Sequence, residues 1–207
     1  MFTGLVQGVG HIVRVDALPG SQNGGVRLTI DAADIPEFHV RVGDSIAVAG
    51  ACMTAIRIDG STFSVDTSAE SLARTAGLDR EGEVNLETSM RLGDQLGGHL
   101  LSGHVDGVGE VVKVTPVHES WQLAVLVPNQ LSAYLAYKGS VAINGVSLTV
   151  NRITDGARSC EFDVNIIPHT YRITTLRSVH AGDRVNIEVD LIARYVERML
   201  SLKQRNA

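Results

Sequence analysis

Short runs in which apolar and polar residues alternate fill most of the chain, among them "HIVRVDA", "VRLTIDA", "DSIAVA", "TFSVDT" and "EVNLET". Alternation with a period of two puts apolar side chains on one face of an extended strand, and Val, Ile and Thr fit that pleated geometry. Stretches carrying Gly, Asp and Asn, such as "PGSQNGG", "RVGD" and "RIDGS", separate the runs as turns.

The pattern is written twice. "MFTGLVQGVGHIVRV" at the start returns as "LLSGHVDGVGEVVKV" from Leu100, which sets Gly4 against Gly103, Val6 against Val105 and Gly10 against Gly109. "GDSIAVAGACMT" returns as "KGSVAINGVSLT", pairing Cys52 with Ser147 and Thr54 with Thr149; Asp66 then answers Asp163, and "EVNLE" answers "RVNIE". A period of about 97 residues is too long for a solenoid unit and suits duplication of a small domain. About six strands per copy and no long helical pattern predict an all-β fold. It is expected to be two tandem, similar, six-stranded antiparallel Greek-key-like β-barrels, closed or nearly closed, since closure removes exposed edges. The join falls near "LGDQLGG", which divides the chain into a barrel over 1–97, a second over 98–190 and a tail over 191–207.

In that tail the period changes. "LIARYVERMLSLK" places Leu191, Ile192, Tyr195, Val196, Met199, Leu200 and Leu202 on one side of a C-terminal α-helix, with Asp190 placed to cap it. Such a helix either packs back on its own barrels or forms a seam between subunits.

Composition narrows the setting. Of 207 residues, 44% are hydrophobic and 20% charged, values of a chain that folds in water. The net charge of -5, without basic clusters, argues against nucleic acid as a partner. No apolar run approaches the roughly 20 residues that span a bilayer, so no membrane association is expected. The first residues lack the basic and apolar parts of a secretory leader, which points to the cytoplasm. Cys52 and Cys160 form neither a disulfide framework nor a metal motif and are expected to be free thiols.

Candidate chemistry gathers at the repeated positions. The second copy offers Ser102, His104 and Asp106, then Lys138, Ser147 and Thr149, then His169 and Thr170; the first answers with Thr3, Cys52, Thr54, Ser68, Glu70 and Ser71. Matching positions in a duplicated barrel outline two related pockets, hence two similar ligands. Thr3, Ser68 and Asp106 have a plainer role as groups that bond nearby backbone, and Cys160 that of a small apolar core residue. No metal is expected: His99 and His104, five residues apart, do not bring two ring nitrogens together, and no cysteine pair or HExxH completes a site. The glycines of "GLVQGVG" lie inside a strand pattern rather than before a phosphate-binding helix, so they are read as bulges or close approaches instead of a dinucleotide fingerprint.

Taken together, "MFTGLVQGVG", "GGHLLSGHVDGVG", "YKGSVAINGVSLTVN" and "IPHTYRITTL" resemble the riboflavin synthase family over essentially the whole chain, with the related, non-catalytic lumazine- and flavin-binding proteins as the alternative. The resemblance implies a homotrimer joined by its C-terminal helices. Each barrel would hold one 6,7-dimethyl-8-ribityllumazine, two per active site, between the N-barrel of one subunit and the C-barrel of another. A four-carbon unit would pass between them, giving riboflavin and 5-amino-6-(D-ribitylamino)uracil with no cofactor. Association with a lumazine synthase shell is a further partnership that the resemblance raises.

Carried over by position, Gly4, Leu5 and Val6 would line the N-barrel pocket, with Cys52, Met53 and Thr54, and with Asp66, Thr67, Ser68, Ala69, Glu70 and Ser71. In the C-barrel the lining would be Gly103, His104 and Val105, then Lys138, Ser147, Leu148 and Thr149, then Ile166, Ile167, Pro168, His169, Thr170 and Tyr171. His104 and Thr149 would draw the proton from the C7 methyl group, and Cys52 and Ser45 would assist on the opposite face. The chain departs from the family pattern in "AGACMTA", with Ala49 for Asn, Met53 for Leu and Ala55 for Val, and in His169, which stands opposite Glu70 of the first copy where a carboxylate is usual.

Overall fold

The computed structural model describes residues 1–18 and 24–205. The expected turn "PGSQNGG" lies largely outside them. The first repeat forms β1 (Gly8–Ala17), β2 (Val26–Asp31), β3 (Ser45–Val48), β4 (Ala51–Asp59), β5 (Thr62–Thr67) and β6 (Gly82–Thr88), with α1 (Ala69–Arg74) between the last two strands. The second forms β7 (Gly107–Val117), β8 (Ser120–Pro128), β9 (Ser140–Ile143), β10 (Val146–Asp155), β11 (Ser159–Ile166) and β12 (Arg184–Val189), with α2 (Pro168–Ile173) in the same place. Each repeat closes as an antiparallel barrel. The first runs β1-β2-β5-β4-β3-β6, and the second follows the same circular order, β7-β8-β11-β10-β9-β12.

Each barrel holds its own apolar core. Leu28, Ile30, Ile46, Val48, Val65 and Leu86 fill the first; Leu123, Val125, Val141, Ile143, Val150 and Ile187 fill the second. Closure of so small a barrel demands sharp bends, and the register shifts at matched places: Ile12/Arg14 and Ala55/Arg57 in one copy, Val111/Lys113 and Val150/Arg152 in the other. The last glycine of each "GVG" serves the same closure. A Cβ on Gly10 would run into Leu86, and one on Gly109 into Val125.

The chain openings do not stay with their own barrels. Phe2 and Leu101, equivalent in the repeats, pair antiparallel: Phe2 N–H donates to Leu101 O at 2.8 Å and Leu101 N–H donates to Phe2 O at 3.1 Å. Beyond this bridge the segments cross. Gly4 O accepts from Ser147 N–H of β10 at 2.9 Å, and Gly103 O accepts from Cys52 N–H of β4 at 2.7 Å. Val6 is therefore buried in the core of the second barrel, while Val105 packs against that of the first. This corrects the expectation that Gly4, Leu5 and Val6 serve the N-barrel and Gly103, His104 and Val105 the C-barrel. Repeat alignment matches residues by position, and an exchange about a pseudo-twofold axis leaves that alignment unchanged.

The axis is tightly packed. Phe2, Ala47, Leu101 and Ala142 form a small core there. The turns Ala49-Gly50 and Asn144-Gly145 meet so closely that a Cβ on Gly50 would lie 2.8 Å from Gly145 N. Asp190 caps α3 (Leu191–Arg205): Arg194 N–H donates to its carbonyl at 3.1 Å, and Ile192 N–H to its carboxylate at 2.8 Å. Arg194 in turn clasps Asp106 with its two terminal guanidinium nitrogens, at 2.6 and 2.9 Å, tying the helix to the second opening.

Candidate functional site

Pleating decides which candidates face outward. Along β4, Cys52 and Thr54 are exposed while Met53 and Ala55 turn inward; along β10, Ser147 and Thr149 look out while Leu148 and Val150 are buried. Met53 lies in the first barrel's core, and Thr67, 2% exposed, donates its hydroxyl to the Met53 sulfur at 3.6 Å. Ile166 is fully buried in the other core. These three were expected at the pockets, but period-two alternation turns their side chains to the barrel interior, so the candidate faces lie on the outside of each barrel.

On the second barrel that face is a cavity of about 600 Å³, lined by Lys138, Ser147, Leu148, Thr149, Ile167 and Thr170, together with Asn151 and Asn165. The two asparagines were not among the expected residues, although Asn151 lies two residues after Thr149 and Asn165 two before Ile167. Lys138 reaches Asn151 Oδ1 at 2.9 Å and lies 5.3 Å from the centre of the Tyr137 ring. Its backbone sits at φ 62°, where the first repeat uses Gly43 at φ 95°. A lysine held in a conformation that favours glycine signals that its side chain is wanted there.

Other expected residues stand elsewhere. Tyr171 stacks on Trp121 with ring centroids 3.8 Å apart and donates its hydroxyl to Arg177 O at 3.1 Å, so its ring is committed to packing. Pro168 occupies the first turn of α2, and His169 beside it is exposed. On the first barrel, Asp66 accepts both hydrogen bonds of Arg27, at 2.7 and 2.9 Å. Strand register matches Asp66, opposite Arg27, with Asn165, opposite Gln122; Asp163 instead matches Ser64, since Arg57 and Arg152 face them in turn. The expected pairing of Asp66 with Asp163 was thus two residues out of register. Ser68 caps α1, accepting from Ser71 N–H at 3.1 Å; Ala69 begins that helix, and Glu70 pairs with Arg74 at 3.3 Å on its exposed side. Ser45 lies opposite Thr54 in the β3–β4 ladder.

His104 is exposed on the segment docked against β4, one residue beyond the Gly103–Cys52 bond, whereas Thr149 belongs to β10. Within one chain, His104 therefore goes with Cys52 and Thr54, and Leu5 with Ser147.

Two buried carboxylates hold the crossed openings. Glu87 accepts from Thr3 N–H and Thr3 Oγ1, both at 2.7 Å, and from Gly4 N–H at 3.0 Å. Glu188 accepts from Ser102 N–H at 2.8 Å, Ser102 Oγ at 2.7 Å and Gly103 N–H at 3.1 Å. Burial pushes the Glu87 carboxyl above its ordinary range, against the lowering pull of the Thr3 and Gly4 bonds. Thr3 thus bonds this carboxylate as well as local backbone, and the sequence signal for the clamp was the glutamate that ends both "EVNLE" and "RVNIE".

His99, rejected from sequence as a metal ligand and counted with the pocket polar residues that favour a synthase, is 9% exposed, and its Nδ1 lies 2.7 Å from Ser147 Oγ. Among the described residues its Nε2 is buried with no hydrogen-bond partner. Burial holds the imidazole below the usual histidine range, opposed by the charge of Asp190. The adjacent Gly98 marks this contact in the sequence, because a Cβ there would strike the Thr3 carbonyl and press on Ser147.

The model of the lumazine binding domain matches the chain twice, over residues 3–89 and 102–190. The riboflavin synthase of Photobacterium phosphoreum is 41% identical over 203 residues, covering 97% of this chain and 89% of that protein. That of Brucella abortus (strain 2308) is 40% identical over 206 residues, covering 96% and 98%. Among solved structures, LumP complexed with riboflavin superposes with a TM-score of 0.78 at 27% identity, covering 91% of this chain and 99% of that one. LumP complexed with 6,7-dimethyl-8-(1'-D-ribityl) lumazine gives 0.77 at 26% identity.

Proposed function

The chain belongs to the riboflavin synthase family, built on the duplicated lumazine binding domain, and we propose that it converts two molecules of 6,7-dimethyl-8-ribityllumazine into riboflavin and 5-amino-6-(D-ribitylamino)uracil. The observation that carries this reading is the matched pair of outward faces, Cys52 and Thr54 on β4 and Ser147 and Thr149 on β10, set at equivalent places in two barrels. A reaction between two copies of one substrate calls for such a pair. Holding both reactants in register contributes up to roughly 7–11 kcal/mol to lowering the barrier, more than one acid or base supplies.

In this reading the lumazine-binding units are residues 1–97 and 98–190, and residues 191–207 form the seam of a cytoplasmic homotrimer. Ile192, Tyr195 and Met199 on α3, each about two-thirds exposed in the single chain, support that seam. The N-barrel face of one subunit meets the C-barrel face of the next. His104, carried with Cys52 on the first face, thereby comes opposite Thr149 on the second, and the two draw the C7-methyl proton. Cys52 and Ser45 assist at the acceptor ring. The donor ring gives up its C6 and C7 carbons with both methyl groups and leaves as the diaminouracil, so the atoms of two lumazines equal those of the two products.

A second reading, a lumazine or flavin carrier without turnover, is favoured by the likeness to LumP and by Ala49 in the first pocket's turn. Incubating the purified protein with 6,7-dimethyl-8-ribityllumazine and following absorbance separates the two. Riboflavin accumulating at half the rate of lumazine loss supports the synthase; a stable fluorescent complex with no riboflavin overturns it.

A further inference from the structure

Ser147 is held from two sides. Its N–H donates to Gly4 O at 2.9 Å, and its Oγ meets His99 Nδ1 at 2.7 Å. The His99 backbone N–H donates to Thr3 O at 3.1 Å, so the ring is fixed to the same crossed opening that Gly4 belongs to. A neutral imidazole places one proton on one of its nitrogens. With the proton on Nε2, a buried N–H would have no acceptor; with the proton on Nδ1, the buried Nε2 is a bare lone pair, a deficit that folded proteins tolerate more readily. Burial favours the neutral ring in either case.

We propose that His99 is a positioning residue: its Nδ1–H donates to Ser147 Oγ, which turns the serine proton into the C-barrel cavity as a fixed donor to a carbonyl or ring nitrogen of the bound heterocycle. The role rests on the C-barrel cavity being a lumazine- or flavin-type site. At the equivalent place on β4 stands Cys52, whose thiol is a weak donor and is exposed. The two half-sites therefore differ in kind. The C-barrel grips its ring through an oriented hydroxyl, and the N-barrel leaves a softer group facing its own. A fixed donor on one side distinguishes two identical substrates before any bond changes.

The test is a double-mutant cycle on the full-length protein, read by fluorescence titration with riboflavin and by steady-state conversion of 6,7-dimethyl-8-ribityllumazine. His99→Ala and Ser147→Ala should each weaken riboflavin binding by about 10-fold, the worth of one oriented hydrogen bond, and the double variant should be no worse than Ser147→Ala alone. His99→Asn sets an amide N–H where Nδ1–H stood and should restore binding to within about 3-fold of wild type without changing the pH dependence of turnover. Additive single losses, or a folded His99→Asn protein as weak as His99→Ala, overturn the positioning role. So does loss of an acidic limb in the pH profile of His99→Asn, which would make the ring a base. Wild-type protein that neither binds riboflavin nor converts lumazine overturns the functional reading and this role together.

Discussion

Asn85 and Asn186 occupy equivalent places on β6 and β12, and each sends its carboxamide into the other barrel. Asn85 donates to Asn144 O at 2.9 Å and accepts from Thr175 N–H at 2.7 Å; Asn186 donates to Ala49 O at 3.0 Å and accepts from Ala76 N–H at 2.7 Å. Both are 1% exposed. The partners they satisfy are backbone groups at the junction, which a hydrophobic substitute would leave bare. Asn85→Ala and Asn186→Ala are each expected to cost about 2–4 kcal/mol of unfolding free energy, read from denaturant midpoints, and Asn85→Asp should lose at least as much, because its second carboxylate oxygen then faces the Asn144 carbonyl as acceptor against acceptor in a buried site.

The β3–β4 turn departs from its twin at one atom group. Ala49 at φ 46° and Asn144 at φ 48° hold the same left-handed conformation, which asparagine tolerates and alanine resists. Asn144 Oδ1 also accepts from Asn186 N–H at 2.7 Å. Ala49→Asn should therefore stabilise the protein by about 1 kcal/mol, seen as a higher melting temperature. A lower melting temperature would show that the pocket around Ala49, 7% exposed, has no room for the amide.

Lys138 presents the opposite trade. Replacing it with glycine, as Gly43 stands in the first repeat, relieves a left-handed backbone and should raise stability by about 1 kcal/mol. The same change removes the ammonium group that reaches Asn151 in the C-barrel cavity, so riboflavin affinity should fall. Both shifts in one variant, measured by thermal melting and fluorescence titration, identify a residue kept for binding at the expense of stability.

Two buried groups give stability opposite dependences on pH. His99 is depressed below 6.5 by burial, so the unfolded chain takes up a proton that the folded one refuses; its contribution is complete above pH 6.5 and is lost as pH falls through the folded value. Glu87 is raised above 4.5, so the folded chain keeps its proton longer; that contribution is complete below pH 4.5 and is lost as pH rises through the folded value. Denaturant midpoints across pH 4 to 8 should show a shallower acid-side loss in His99→Asn than in wild type. In Glu87→Gln the decline above pH 4.5 should flatten, with lower stability throughout because the new amide N–H₂ faces the Thr3 or Gly4 donors.

Arg194 joins α3 to Asp106 through a pair that is largely sheltered at the carboxylate, 12% exposed on its side chain. Arg194→Ala leaves Asp106 bonded to Val189 N–H but frees the helix from the opening that bears His104. If the proposed trimer and synthase activity hold, the expected outcome is a weakened oligomer in analytical ultracentrifugation together with reduced turnover. Full activity in a protein that has lost its assembly would separate the helix from the site.

Strand number, the twofold repeat and the capped terminal helix were legible along the chain, as was the match of Cys52 and Thr54 with Ser147 and Thr149, though not which way those side chains face. Each depends on local periodicity: alternation of two for strands, three to four for the helix, and glycine where two backbones meet. Met53, Thr67 and Ile166 were misplaced for the same reason that the strands were found, and Tyr171 because its partner is distant in sequence. A motif marks a stretch, whereas the pleat sends its neighbouring side chains to opposite faces, and Trp121 lies 50 residues before the tyrosine it stacks on. Only the tertiary structure decided which opening serves which barrel. Exchanging the segments about Phe2 and Leu101 conserves every local contact type, since Gly4 meets Ser147 as Gly103 meets Cys52, and no pattern within either repeat distinguishes the exchanged arrangement from the simple one. The choice is made across the axis, where Ser147 N–H meets Gly4 O, Cys52 N–H meets Gly103 O, and Val6 and Val105 each pack against the other repeat's core, contacts between residues far apart in sequence.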